Sequence, residues 1–205
     1  MPDTNTNKRP LPTIGVSKYT YFPITDDGED GTTYGAAVSL PGTTEISPTD
    51  SGGNAVFDAD DGAYASVAYL ENMGHELTNA DITPKVDADW RGLTLGTNGL
   101  LTVADTKTPY FGVAWRVQKV DGTYRYVRYY KGSYAFASSV GGQTKPSSGA
   151  PEFQTATATF TAVKRLSDGA YYTYVDETDF PTGVTRETFE EEWFSDMDYE
   201  PAAGA

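Results

Sequence analysis

Few side chains in this sequence could carry out chemistry by themselves. His75 is the only histidine and there is no cysteine, which excludes thiolate nucleophiles, disulfide staples and multi-histidine metal sites. No Gly-x-Ser-x-Gly elbow is present to hold a serine. A general base at His75 would need a positioned partner that the sequence does not supply, so a polar residue at a strand end is expected there. Asp58-Ala59-Asp60-Asp61-Gly62 and Asp26-Asp27-Gly28-Glu29-Asp30-Gly31 hint at calcium. A helix-loop-helix calcium loop starting at Asp58 would need Gly at its sixth position and Glu at its twelfth, where Ala63 and Tyr69 stand; one starting at Asp26 reaches Gly31 but has Gly28 third and Ala37 twelfth. Both stretches read as solvated turns, which Asp and Gly favour for backbone reasons alone. No cofactor, metal or enzymatic activity is expected.

Tyr124-Arg125-Tyr126-Val127-Arg128-Tyr129-Tyr130-Lys131 interleaves aromatic and basic residues, the pattern by which single-strand binders stack bases and follow phosphates. A formal charge of -14 opposes that use, because the field of the whole molecule repels phosphate. The preferred expectation is a sheet whose tyrosines pack inward and whose arginines meet acids on another copy. Bases cluster at Arg116, Lys119, Arg125, Arg128 and Lys131, whereas acids concentrate at 26–30, at 58–61 and in the last thirty residues. Such segregation suits self-association between unlike surfaces. The alternation of Thr and Ala from Thr155 to Ala162 suggests a strand with small side chains on both faces, apart from Phe160, which a neighbouring layer or subunit can approach closely. Arg116, Arg125, Thr155, Thr157 and Thr159 are therefore the expected interface residues. Carboxylates are numerous enough for a glycosidase pair, but their spacing in space is not readable from sequence.

The elements that must position these residues are mostly strands. A chain of 205 residues with 38% hydrophobic content can bury one sizeable core. Fifteen Tyr, nine Phe and three Trp favour pleated sheet, and 21 Gly with 12 Pro imply many turns. The expected class is mainly β, a sandwich or barrel with one short flanking α-helix and long assembly loops. Residues 1–13 are expected to form an N-terminal arm, 14–176 the β domain and 177–205 an acidic C-terminal segment with a possible short helix. In the central hairpin, Asp121-Gly122 as a two-residue turn would set Val113 opposite Tyr130, Trp115 opposite Arg128 and Val117 opposite Tyr126. The other face would then carry Arg116, Gln118, Arg125, Val127 and Tyr129 and would need water or a partner, while a slip of one residue would exchange the faces. Thr83-Pro84 predicts a helix start, with Val86, Trp90 and Leu93 on one face and Gly96 as its end. Phe189, Trp193, Phe194 and Met197 recur at helical spacing behind a capping-box pattern at Thr188. Residues 41–62 read as a long loop held by a neighbour, with a strand-like interruption at 54–57, and 138–152 as a second long, flexible-looking loop. The polar N-terminus lacks a secretory core and no apolar run approaches the ~18–20 residues of a membrane span, so synthesis and folding in cytoplasm are expected.

Several stretches together resemble the major tail proteins, or tail tube proteins, of long flexible-tailed phages that infect Gram-positive bacteria. They are Ile14-Gly15-Val16, Tyr34 to Gly42, the Asp60-Asp61-Gly62 turn, Tyr110-Phe111-Gly112-Val113, Tyr124-Arg125-Tyr126-Val127 with Tyr130-Lys131-Gly132, Phe153-Gln154-Thr155 and Trp193-Phe194. The resemblance implies a non-enzymatic β-sandwich subunit, assembled as hexameric rings that stack into a hollow tube, a virion component built in the host cytoplasm. Its implied partners are further copies of itself, a tape measure protein and tail terminator or baseplate proteins. Four strands per subunit would line a shared barrel of about 24 strands, roughly 45 Å across, through which double-stranded DNA passes without specific binding. The alternatives from the residues alone are a carbohydrate-binding β-sandwich, a single-stranded nucleic-acid module and a tail-associated glycosidase.

Overall fold

A computed structural model describes residues 10–105, 107–135 and 141–202. Ten strands form one antiparallel sheet: β1 (Thr13–Gly28), β2 (Gly31–Tyr34), β3 (Val38–Ser39), β4 (Thr43–Pro48), β5 (Ser51–Ala59), β6 (Gly62–Asn79), β7 (Phe111–Lys119), β8 (Tyr124–Tyr134), β9 (Ala156–Ala162) and β10 (Tyr172–Asp176). The main path runs β2-β1-β7-β8-β9-β6-β4, with β3 on β1, β5 on β6 and β10 on β8. The sheet curls enough to bring β4 beside β1, although no ladder joins them. Two helices flank it, the flanking helix expected and the possible short one of the C-terminal segment: α1 (Pro84–Arg91) and α2 (Arg186–Trp193).

Both helices start on local signals. The Thr83 side chain accepts from the Val86 amide, and Pro84 follows where a missing N–H is harmless. α1 ends at Gly92 (φ 66°), four residues before the expected Gly96, because the Leu93 amide closes back on the Ala88 carbonyl in a left-handed cap. α2 begins behind Thr185, whose hydroxyl accepts from the Thr188 amide while Thr188 returns a bond from the Thr185 amide. Its capping box therefore lies one turn earlier than the motif at Thr188 suggested.

The central hairpin forms, but in the slipped register. Val113 faces Tyr129, Trp115 faces Val127, Arg116 faces Tyr126 and Val117 faces Arg125. The cause is the turn. Lys119 pairs with Thr123 around three loop residues, ending at Gly122 with φ 83°, rather than around two. Arg116 and Arg125 consequently stand on opposite faces, and Val127 and Tyr129 join Trp115 on the core side.

Both faces of the β1-β7-β8 region are covered. Inside the curl, Tyr19, Tyr21, Val113, Trp115, Tyr129, Tyr134, Leu77 and Phe160 pack with Trp90 and Ile82 from the α1 region. Outside it, Phe22, Ala114 and Tyr126 pack under Phe189, Trp193 and Met197 of the C-terminal segment. That segment is docked, with Glu187, Glu191 and Glu192 left in solvent. β1 can feed both cores because Lys18 takes a left-handed conformation (φ 58°) where the pairing with β7 shifts; Tyr19 and Tyr21 then point inward and Phe22 outward. Gly74 and Gly132 leave room for β9, since a Cβ at either would fall within 2.5 Å of Phe160 or Thr161 atoms.

Candidate assembly surface

His75 is not at a strand end. It lies within β6, fully buried among Tyr19, Trp115, Tyr129 and Phe160, with Nε2 2.7 Å from the Tyr19 hydroxyl, which is in turn 2.9 Å from that of Tyr134. Burial lowers its pKa from 6.5 to about 3. A neutral imidazole sealed from solvent can order a core but cannot reach a substrate. No group of three or more potential metal ligands occurs among the described residues, and no helix there is long and apolar enough to cross a membrane.

The basic cluster is engaged within the chain. Glu190 of α2 accepts from Lys18 at 2.6 Å, from the Tyr126 hydroxyl at 2.8 Å and from Arg116. Burial pushes the Glu190 carboxyl up, but the bonds from Lys18, Tyr126 and Arg116 outweigh it and hold the group below its usual range. Asp176 of β10 takes both Arg125 (2.7 and 3.0 Å) and Lys119 (2.6 Å). Lys131 pairs with Asp27, and Arg165 holds Asp168 and Asp198. Arg128, fully buried, donates to the carbonyls of Trp193, Asp196, Met197 and Tyr199 at 2.7–3.3 Å and lies over the Trp193 ring at 3.8 Å. The expectation that these arginines meet acids on another copy is corrected: α2 and β10 supply carboxylates to Arg116 and Arg125, and C-terminal carbonyls hold Arg128.

On β9 the small residues divide by face. Ala156, Ala158, Phe160 and Ala162 are buried, so this strand does contribute to the core, while Thr157 and Thr159 face outward opposite Thr78 and Glu76 of β6. Thr155 precedes the strand and is exposed. The sheet brings Thr157 and Thr159 onto one hydroxyl-rich outer face with Glu45 of β4, which pairs with Thr78. It does not bring Arg116 or Arg125 to them. Residues 138–140 of the expected second loop lie outside the described residues; 141–155 contain no strand or helix and are exposed.

The first long loop is the larger correction. Residues 51–72 are a two-stranded ribbon, β5 against the first half of β6, paired from Ser51–Asn72 to Ala59–Gly62 with register shifts after Ser51 and after Phe57. Asp60 and Asp61 form its tip, both left-handed (φ 50° and 60°), as a two-residue hairpin turn of this twist requires. Almost every ribbon residue is exposed, including Val56, Phe57, Tyr64, Val67, Tyr69 and Leu70, each at 50% or more. Phe57, Val67 and Tyr69 share one face of the ribbon and Val56 and Leu70 the other, and exposed apolar side chains on this scale mark an interaction site, because folding alone gains nothing from them. Replacing Asp61 with Gly should remove a left-handed backbone penalty of about 1 kcal/mol. Slower hydrogen exchange at the Phe57 and Ala65 amides is expected, and unchanged exchange would show that the turn does not limit ribbon opening. Sequence reading missed the ribbon, although one signal was available: two β-rich runs flank Asp60-Asp61.

The comparisons with known proteins add no relative to this description. No protein-family model matches the chain, and no curated protein matches it.

Proposed function

We propose that the protein is a non-enzymatic structural subunit that assembles with copies of itself into rings and a hollow tube, as a phage tail tube does. The observation that carries this reading is the projecting apolar ribbon, which completes its burial only against another molecule. The sequence resemblance and the mainly β sheet support it. The outer hydroxyl and acid face of β4-β6-β9 suits a water-filled bore past which DNA slides without sticking, since like charge repels phosphate. In this reading the protein is a virion component assembled in the host cytoplasm, with tape measure and terminator or baseplate proteins as further partners. Negative-stain microscopy of concentrated protein should show rings or tubes. A monodisperse monomer at every concentration would overturn the proposal.

Salt provides a sharper check on what drives assembly. Among the described residues, nine Lys and Arg side chains are held by carboxylates of their own chain, so the formal -14 faces outward as mutual repulsion while the ribbon supplies apolar attraction. Raising ionic strength from about 0.01 to 0.15 M shortens the screening length from ~30 to ~8 Å, and the assembled fraction in sedimentation should rise. Association between oppositely charged surfaces would show the reverse, with salt dissolving the particles.

A further inference from the structure

We infer that the ribbon joins the body of the sheet through a hinge at residues 49–53 and 73–74, and that the Asp50 carboxylate is the clip that sets its angle. This rests on the reading of the ribbon as the contact element and adds to it the residue that aims it.

The partner ladder along β6 is interrupted at this one place. Pro48 of β4 faces His75 and Ser51 of β5 faces Asn72, so two residues on each strand separate the ladders and the register carries across the gap. Two residues so opposed would ordinarily exchange a pair of backbone bonds. Here the Thr49 amide donates to the Gly74 carbonyl at 2.9 Å, while the Gly74 amide donates to Asp50 Oδ1 at 3.1 Å. A side chain has taken the place of a backbone carbonyl, and it can let go by turning about its own bonds without unpairing either strand. On the opposite edge β9 leaves β6 at Met73, which faces Ala162, so the joint lies where β6 loses its second neighbour. The pairing also shifts between Ser51 and Gly52, and Gly53 follows; the bulge bends the strand and the two glycines can absorb a change of dihedral angle.

Among the described residues, no packing against the body fixes that angle. Every residue from 51 to 72 is exposed except the half-buried Gly53 and Ala59, and neither apolar core includes a residue of that stretch. Asp50, by contrast, is placed against the body. It borders a groove with Trp115, Tyr129 and Tyr172, and burial, then the neighbouring Asp50 charge, raises the pKa of the Tyr129 phenol. The nine residues of β5 carry the tip roughly 30 Å from the joint, so a turn of about 20° at the root moves the tip by roughly 10 Å. A small freedom at Asp50 is therefore large at the surface that meets a partner. Holding one angle in the free subunit removes an ordering penalty from docking.

The natural chain has no cysteine, so two introduced ones can carry spin labels on the full-length protein. Ser66→Cys on the ribbon and Glu187→Cys on α2, both exposed positions, report the angle as a distance distribution in pulsed electron resonance at monomer concentrations. With Asp50 present the distribution should be single and narrow. Asp50→Ala should spread it by roughly 6 Å, the arc of a swing of about 20° at that distance from the joint, with an unchanged thermal transition. Asp50→Asn, which keeps an oxygen for the Gly74 amide, should restore the narrow distribution. In sedimentation, the concentration needed for assembly should rise about tenfold in Asp50→Ala and not in Asp50→Asn, the size expected for one or two side chains that must be newly ordered. Equal distributions in Asp50→Ala and the unaltered chain would overturn the clip, and so would a broad distribution with Asp50 intact. If the unaltered protein never assembles, the self-assembly reading fails, while the distance measurement still decides the clip.

Discussion

Arg128→Met should lower the free energy of unfolding by about 3–5 kcal/mol, the range for removing one member of a buried charged hydrogen-bonded set. The substitution leaves the carbonyls of Trp193, Asp196, Met197 and Tyr199 without their donor and removes a planar cation from the Trp193 ring. Burial lowers the pKa of this guanidinium to about 10, so it remains charged at neutral pH and its interactions are strong because water is excluded. The loss should begin locally. Residues 177–202 are held to the sheet by Arg128, by the Glu190 cluster and by the packing of Phe189, Trp193 and Met197, so proteases should cut there before the sheet unfolds. Arg128→Lys should recover only part of the stability, since an ammonium is a point donor and cannot serve four spread carbonyls from one plane. A denaturant midpoint that barely moves in Arg128→Met would show that the C-terminal segment is held by apolar packing alone.

The second large effect concerns acid. His75 keeps a neutral ring in the fold, with a pKa of about 3 against 6.5 when unfolded. Above pH 6.5 neither state binds the proton and the full stability is present; below it, only the unfolded chain takes the proton up. Stability therefore falls by about 1.4 kcal/mol for each pH unit between 6.5 and 3. Paired carboxylates lose stability in the same direction but lower on the scale. Arg125, against burial and with help from Lys119, holds Asp176 below its usual value, and Arg165 does the same for Asp168. Both act only below about pH 4, so the interval from 6.5 to about 4.5 belongs to His75. Urea midpoints measured across it at constant ionic strength should slope downward in the natural chain and run level in His75→Phe. Equal slopes in the two proteins would mean that the folded ring can accept its proton.

The same substitution series puts the earlier expectation for Arg116 and Arg125 in a different light. Charge reversal at Arg116 would set a second acid against Glu190 inside the chain, and at Arg125 against Asp176. Weakened assembly in such variants would then follow from a disturbed monomer, not from a lost contact between subunits. Val67 and Tyr69 on the ribbon are better probes because they have surface to lose and no ion pair to break.

Signals complete within a few residues were legible in the sequence. Thr83-Pro84 starts α1 because a hydroxyl and a missing N–H meet the needs of a first turn. The spacing of Phe189, Trp193 and Met197 marks the face of the C-terminal segment that is buried. Length, aromatic content and turn residues were enough to indicate a mainly β chain. The ribbon was misread because Gly, Ser and Asp are common in it, and composition reports turns more readily than it reports a partner strand. The outer hydroxyl-rich face as a whole had no sequence signature, since it is assembled from β4, β6 and β9.

What the sequence by itself determined is where the helices and most strands outside residues 41–62 lie and which segments carry charge, because hydrogen bonding and φ preferences are settled among near neighbours. The tertiary structure alone decided which way each side chain of the central hairpin points. Strand side chains alternate with a period of two, so one extra turn residue at Val120-Asp121-Gly122 reverses every assignment on β8 relative to β7. Here the reversal leaves no polar face to reveal it, since one side of β7 and β8 packs into the curled sheet and the other beneath Phe189 and Trp193.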